Sequence, residues 1–182
     1  MTTKPESESE APGRLANHFQ GHDASVHGGR WQALWEEAYT PWDRGQPSPA
    51  LIELLEERKD LVGESWTVDS ALGKRRKRAL VPGCGRGYDV LILSAFGYDA
   101  HGLDVSEAAM RAAAEYEKLK SGDDMYKAQD PGGKGEVHWI TADFFKDDFL
   151  NDVSGDETFD LLFDYTVRIH ANPSGIFGLT KS

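Results

Sequence analysis

Cysteine is nearly missing from this chain. Cys84 is the one thiol in 182 residues, so no intramolecular disulfide framework can form. That usage fits a reducing, intracellular setting and predicts a cytoplasmic protein. Positive charge is also scarce: Lys plus Arg is 20 against 31 Asp plus Glu, for a net charge of -11. An acidic chain repels phosphate backbones and anionic lipid, which argues against a generic nucleic-acid binder and a peripheral membrane anchor. No apolar run approaches the roughly 20 residues that a membrane helix needs. What is present is 39% hydrophobic and 28% charged residues at a mean hydropathy of -0.55, a soluble composition diluted by a polar segment. The length corresponds to about one domain.

Residues 1–14, MTTKPESESEAPGR, lack the apolar core of a signal peptide and carry acids that mitochondrial presequences avoid. Glu, Ser and Pro cannot bury enough surface to offset ordering entropy. A disordered tail is therefore expected, drawn to residues 1–27. A short helix is expected over roughly 29–38, with Trp31 and Trp35 four apart on one face and Thr40-Pro41 as its stop. Ser48 and Pro49 start a second helix, whose apolar face is Leu51, Ile52, Leu54 and Leu55. Residues 63–78 read as a loop ending in the basic run Lys74-Arg75-Arg76-Lys77-Arg78.

After that run the pattern alternates. A strand over 78–82 is followed by a helix over 88–96, then a strand over 98–103 closed by Asp104. Ser106 caps a helix over 107–120 that is rich in Ala, Glu and Lys. A polar loop over 121–135 leads to a third strand over 137–142 ending at Asp143, and 159–166 reads as a fourth. Such alternation predicts an open, mostly parallel α/β sheet.

The turn after the first of these strands is Gly83-Cys84-Gly85-Arg86-Gly87. Glycines there let a ligand approach the backbone, and an acid closing the next strand can accept both hydroxyls of a ribose. Gly83 and Asp104 stand 21 positions apart, which fits that role. The third glycine comes one position earlier than in the dinucleotide fingerprint G-x-G-x-x-G, so the spacing favours S-adenosylmethionine over a nicotinamide dinucleotide. Asp143 can accept from an adenine amino group, and Phe144 offers an apolar face beside it. Asp164-Tyr165 closes the fourth strand, so all four elements converge on the carboxyl ends of the strands.

These residues carry a family resemblance. The run L-V-P-G-C-G-x-G-x-D-V at 80–90 resembles the thiopurine methyltransferase-like family, and within it the plant and fungal thiol/halide methyltransferases. So do W-x-x-x-W at 31–35, Thr40-Pro41-Trp42-Asp43, G-L-D-V-S at 102–106, D-F-F at 143–145 and F-D-Y at 163–165. The likeness covers roughly residues 28 to 166. It implies a Rossmann-like class I methyltransferase fold that uses S-adenosylmethionine, no metal, and a small thiol, bisulfide or halide as acceptor. Its cofactor contacts, transferred by position, are Trp31, Trp35, Trp42, Gly83, Asp104, Asp143, Phe144 and Tyr165. Tyr165 is the candidate beside the transferring methyl. A thiolate or halide is already nucleophilic, so alignment and desolvation suffice and no general base is implied.

The likeness stops after Thr166, where the family continues into further helices and strands. The expected sheet is therefore incomplete, with the first four parallel strands only, and a catalytically inactive fragment that at most binds S-adenosylmethionine is the alternative reading. Val167-Arg168 can be encoded by GTAAGA, the form of a 5′ splice donor, so residues 167–182 are expected to be translated intron. Other features read as structural. Cys84 is a small residue in a tight turn. His18 and His22 have metal-like spacing without a third ligand. The 74–78 run is a solvated loop end rather than a nuclear localisation signal, and the pairs Asp123-Asp124 and Asp147-Asp148 are solvated loop charge.

Overall fold

The computed structural model describes residues 11–69, 73–146, 149–150 and 159–165. The chain runs through α1 (Ala11–Phe19), α2 (His27–Glu36), α3 (Pro49–Glu57) and α4 (Lys59–Val62). It continues with β1 (Trp66–Asp69), β2 (Gly73–Arg76), β3 (Arg78–Pro82), α5 (Tyr88–Ala95) and β4 (Asp99–Asp104). The last elements are α6 (Glu107–Lys120), β5 (Val137–Thr141) and β6 (Leu161–Leu162).

The main sheet has the order β5-β4-β3-β6, and its strands are parallel. Every residue of β3 is buried, as expected for a parallel strand covered on both faces. One face carries Ala79, Val81 and Ala100 against α3 and α5. Val90 to Ala95 of α5 are all buried, so that helix is apolar all round. The other face carries Leu80, Leu103 and Ile140 against Phe149, with Phe144 and Phe159 packed alongside. His101 also lies buried and stacks on His138 with ring centroids 4.4 Å apart, while the Phe159 ring meets it edge-on at 5.2 Å. Burial, and secondarily the facing His138, lower the His101 pKa to about 4.

The helix over 107–120 agrees with the sequence at both ends, because its start is a local device. The Ser106 hydroxyl accepts from the Ala109 N–H at 3.1 Å. Four expectations change. Residues 11–27, placed in a disordered tail, contain α1 and the start of α2. Leu15, His18 and Phe19 form a half-buried stripe at helical spacing, which a composition count over the acidic segment hides. Phe19 packs on Trp31 at 4.5 Å, and Arg14 pairs with Glu37 at 2.9 Å. Residues 1–10 lie outside the described residues.

Second, the loop expected over 63–78 contains an antiparallel pair, Trp66–Asp69 with Gly73–Arg76. Third, the basic run is engaged rather than a solvated loop end. Lys74 and Arg76 lie over the Trp66 ring at 4.9 and 4.4 Å. Arg75 forks onto Asp160 at 2.7 and 3.2 Å, and Arg76 donates to the carbonyls of Gly97 and Gly132. Arg78 is buried, and its N–H donates to Asp160 at 2.8 Å. Long stems on an aromatic face explain why basic residues populate this hairpin. Fourth, β6 is two residues rather than eight. Its pairing with β3 is prolonged by Asp160 N–H to the Arg78 carbonyl and Phe163 N–H to the Leu80 carbonyl, both at 2.9 Å. Thr166, the 167–182 segment and Asp147-Asp148 lie outside the described residues.

Candidate functional site

The site grows from the turn after β3. The Cys84 N–H donates to the Leu103 carbonyl at 3.0 Å, tying the turn to β4. The Gly85 N–H donates to Asp104 Oδ2 at 3.1 Å, and the Ser106 N–H donates to Oδ1 at 3.0 Å. One carboxylate thus joins the turn, the end of β4 and the start of α6. Asp104 is only 8% exposed, and burial raises its pKa against the lowering effect of those N–H groups. The Val105 N–H acts on the same carboxylate, so of about four lone-pair sites one acceptor position remains.

Missing side chains let two indoles pack against the turn. Gly85 has φ +53, and a Cβ there would meet Trp35 at 3.4 Å. Gly87 has φ +77, and a Cβ there would enter the Trp139 indole, 2.6 Å from Cζ3. Trp139 also covers Gly102, and its Nε1–H donates to Glu117 at 2.8 Å. The third glycine of the motif is therefore a packing glycine. Cys84 sits in the same layer, where burial, with the Asp104 charge adding, pushes its thiol pKa well up. That is the inert environment expected of a small turn residue.

The tryptophans lie together. Trp35 is buried against Ala109, Met110 and Ala113 of α6. Trp42 meets Trp35 at 6.2 Å and Trp31 at 5.1 Å, both edge-on. Two anchors hold this group in place, and sequence reasoning missed both. Asp43 accepts from Arg86 Nε at 2.5 Å, Tyr88 OH at 2.9 Å and the Gly45 N–H at 2.8 Å, fastening the Trp42 segment to the glycine turn. Burial, with Asp43 assisting, pushes the Tyr88 pKa up. The Gln32 Oε1 accepts from the Ser106 hydroxyl at 2.7 Å and the Ala108 N–H at 3.2 Å, fastening α2 to α6. The Thr40-Pro41-Trp42-Asp43 phrase held a signal for Asp43, an acid beside a turn; Gln32 had none.

The remaining candidates divide. The Ala142 N–H bonds the Asp104 carbonyl at 3.0 Å, so Asp143 follows directly beside Asp104 at the carboxyl end of the sheet. Its Oδ1 accepts from the Phe145 N–H at 3.0 Å, which caps its own turn, and Lys146 Nζ lies 3.6 Å from Oδ2. Phe144 packs into the cluster of Leu80, Leu103, Ile140 and Phe149. Tyr165 is linked to the tryptophan segment, since Arg44 Nη1 donates to its hydroxyl at 2.8 Å. Gly83 lies at the head of the turn with φ +59. Of the expected loop charges, Asp123 instead caps a short 3-10 turn at Met125 and pairs with Lys120 at 2.8 Å. The His18 ring meets the Arg30 carbonyl at 3.0 Å.

Comparison with known proteins bears on this arrangement. The model of the family described as Thiopurine S-methyltransferase matches residues 26–174. A Brassica oleracea protein named Thiocyanate methyltransferase 1 is 33% identical over 149 residues, covering 82% of this chain and 52% of the relative. Its Arabidopsis thaliana namesake is 33% identical over 141 residues, covering 78% of this chain and 48% of the relative. A probable thiol methyltransferase 2 from Arabidopsis thaliana is also 33% identical, covering 76% and 47%. The chain thus spans about half the length of the curated relatives it matches.

Proposed function

The chain belongs to the thiopurine S-methyltransferase family, with a Rossmann-like class I sheet, and on that premise we propose that it takes part in methyl transfer from S-adenosylmethionine to a small thiol, bisulfide or halide. The observation that carries the reading is Asp104. Its buried carboxylate joins the glycine turn to α6 and keeps acceptor capacity for a ribose hydroxyl. Gly85 lets the turn lie against the Trp35 ring, which a Cβ would meet at 3.4 Å. The tryptophan faces suit a sulfonium cation, an attraction worth up to ~2 kcal/mol when desolvated.

The cofactor would supply an activated methyl group for an acceptor that already carries a free lone pair. The chain's own residues bind, orient and exclude water. Asp104 would hold the ribose, Asp143 would accept from the adenine amino group, and Trp31, Trp35 and Trp42 would cover the sulfonium side. Tyr165 stands nearest the acceptor. Gly83 opens the backbone to the cofactor, and Phe144 shapes the adenine end from within the core. The cytoplasm is the compartment this reading favours, and no helix among the described residues is long and apolar enough to cross a membrane.

Thermal unfolding of the 182-residue chain with and without S-adenosylhomocysteine tests the cofactor part. A ligand at a hundredfold excess over Kd stabilises the folded state by about 2.7 kcal/mol. A cooperative transition that rises with ligand supports the reading, and one indifferent to ligand overturns it. A methyl-release assay with iodide or bisulfide then separates turnover from binding alone.

A further inference from the structure

The segment that carries Trp42 also carries a cation. Arg44 follows Asp43 directly, and its Nη1 donates to Tyr165 OH at 2.8 Å while the guanidinium lies 5.4 Å from the Tyr165 ring centroid. Tyr165 follows β6 at the carboxyl end of the sheet, the end at which the glycine turn leaves β3. The neighbouring carboxylate, Asp43, is already taken by Arg86, Tyr88 and the Gly45 N–H. Among the described residues, Arg44 makes no ion pair with a carboxylate; its partner is the Tyr165 hydroxyl. A planar guanidinium has five donors, and one is used here. Both side chains are reachable from solvent, with Tyr165 46% exposed.

This cation stands in a chain of net charge -11, whose overall field repels anions. A local positive group offsets that repulsion at one point. We propose that Arg44 and Tyr165 form an anion-recognition subsite for the methyl acceptor. On this assignment the pair selects the anionic form of the acceptor named above over a neutral thiol or amine. This rests on the methyl-transfer reading given above. The guanidinium supplies charge-assisted donors on the acceptor side, and the phenol hydroxyl holds the guanidinium in place. Asp43 fixes the backbone next to Arg44, so its position is set by the same contacts that fasten Trp42 to the turn. An anion has its lone pair free and needs no proton removed.

The test uses the whole chain with chloride-35 NMR linewidths, displaced by iodide, in the presence and absence of S-adenosylhomocysteine. The intact protein should broaden the chloride line, and iodide should reverse the broadening. R44Q should lose it, R44K should keep part of it, and Y165F should weaken it while keeping the charge. Affinity of R44Q for S-adenosylhomocysteine should stay within about twofold, which certifies a folded site. In turnover, R44Q should raise KM for iodide about tenfold or more and change kcat little, the signature of lost ground-state binding. Displaceable broadening that is the same in R44Q overturns the subsite, even where S-adenosylhomocysteine binds normally. An Arg44-dependent anion signal in a protein that never binds S-adenosylhomocysteine overturns the methyl-transfer reading instead, and with it the role of the anion as acceptor.

Discussion

Gly87→Ala should be among the most damaging single-methyl changes in this chain, and the reason lies outside the ligand site. Two costs add. Gly87 has φ +77, where an L side chain costs about 1–2 kcal/mol. The new Cβ would also lie inside the Trp139 indole, 2.6 Å from Cζ3, and overpacking of that kind costs about 1–3 kcal/mol. Trp139 has little freedom to retreat, because its Nε1–H is bonded to Glu117 and the same ring covers Gly102. The sum is about 2–5 kcal/mol, a large part of a small domain's stability. Gly133→Ala is the control, since Gly133 has φ +86 with nothing within 4 Å of its added Cβ. It should cost only the backbone share, about 1–2 kcal/mol. Urea unfolding of both variants gives the comparison. A double-mutant cycle with Trp139→Leu should shrink the Gly87→Ala penalty toward that of Gly133→Ala. Equal penalties for the two alanines in the wild-type background would refute the packing argument and return the third glycine to the ligand.

Further outcomes follow from other residues. His101 has its folded pKa lowered to about 4 from an unfolded value near 6.5, so the unfolded chain takes its proton first as pH falls. Stability should be fully present above about pH 6.5 and decline toward pH 4, by on the order of 3 kcal/mol, and His101→Leu should flatten that slope in urea titrations across pH. Ser106→Ala removes both the cap to Ala109 and the bond to Gln32, and should cost about 1–3 kcal/mol in the same assay. Asp104→Asn should weaken S-adenosylhomocysteine binding about tenfold or more, read by calorimetry, because an amide keeps one acceptor where the carboxylate has two.

What could be read along the chain was whatever is settled within a few residues of itself. The glycine turn, Asp104 at a strand end and Ser106 before an Ala-rich run are local grammar, and β3, α5, β4 and α6 lie where that grammar puts them. The tryptophan spacing placed Trp31 and Trp35 on one helical face, and Trp42, grouped with them by resemblance, meets both rings in the structure. Distant contacts had no such local sign. Composition hid the Leu15–Phe19 stripe of α1, because acidic neighbours outweigh two apolar residues in any average. The basic run looked solvated until Trp66, Asp160 and the carbonyls of Gly97 and Gly132 came against it from segments up to 85 positions away.

The same division runs through the candidate site. Asp104 was visible because a strand-end acid needs only its own strand and the turn before it. Asp43 and Gln32 became visible only with the fold, since each takes its partners from elements more than 40 positions on. Phe144, expected at an adenine face, also packs against the cluster of Leu80 and Ile140, a core that only the assembled sheet creates. Gly87 carries the plainest case. Its presence in a G-x-G-x-G turn is written in the sequence, whereas the need for glycine there comes from an indole 52 positions later that fills the space a side chain would take. Local order follows from backbone preference and capping, but room at a site is the complement of everything packed around it.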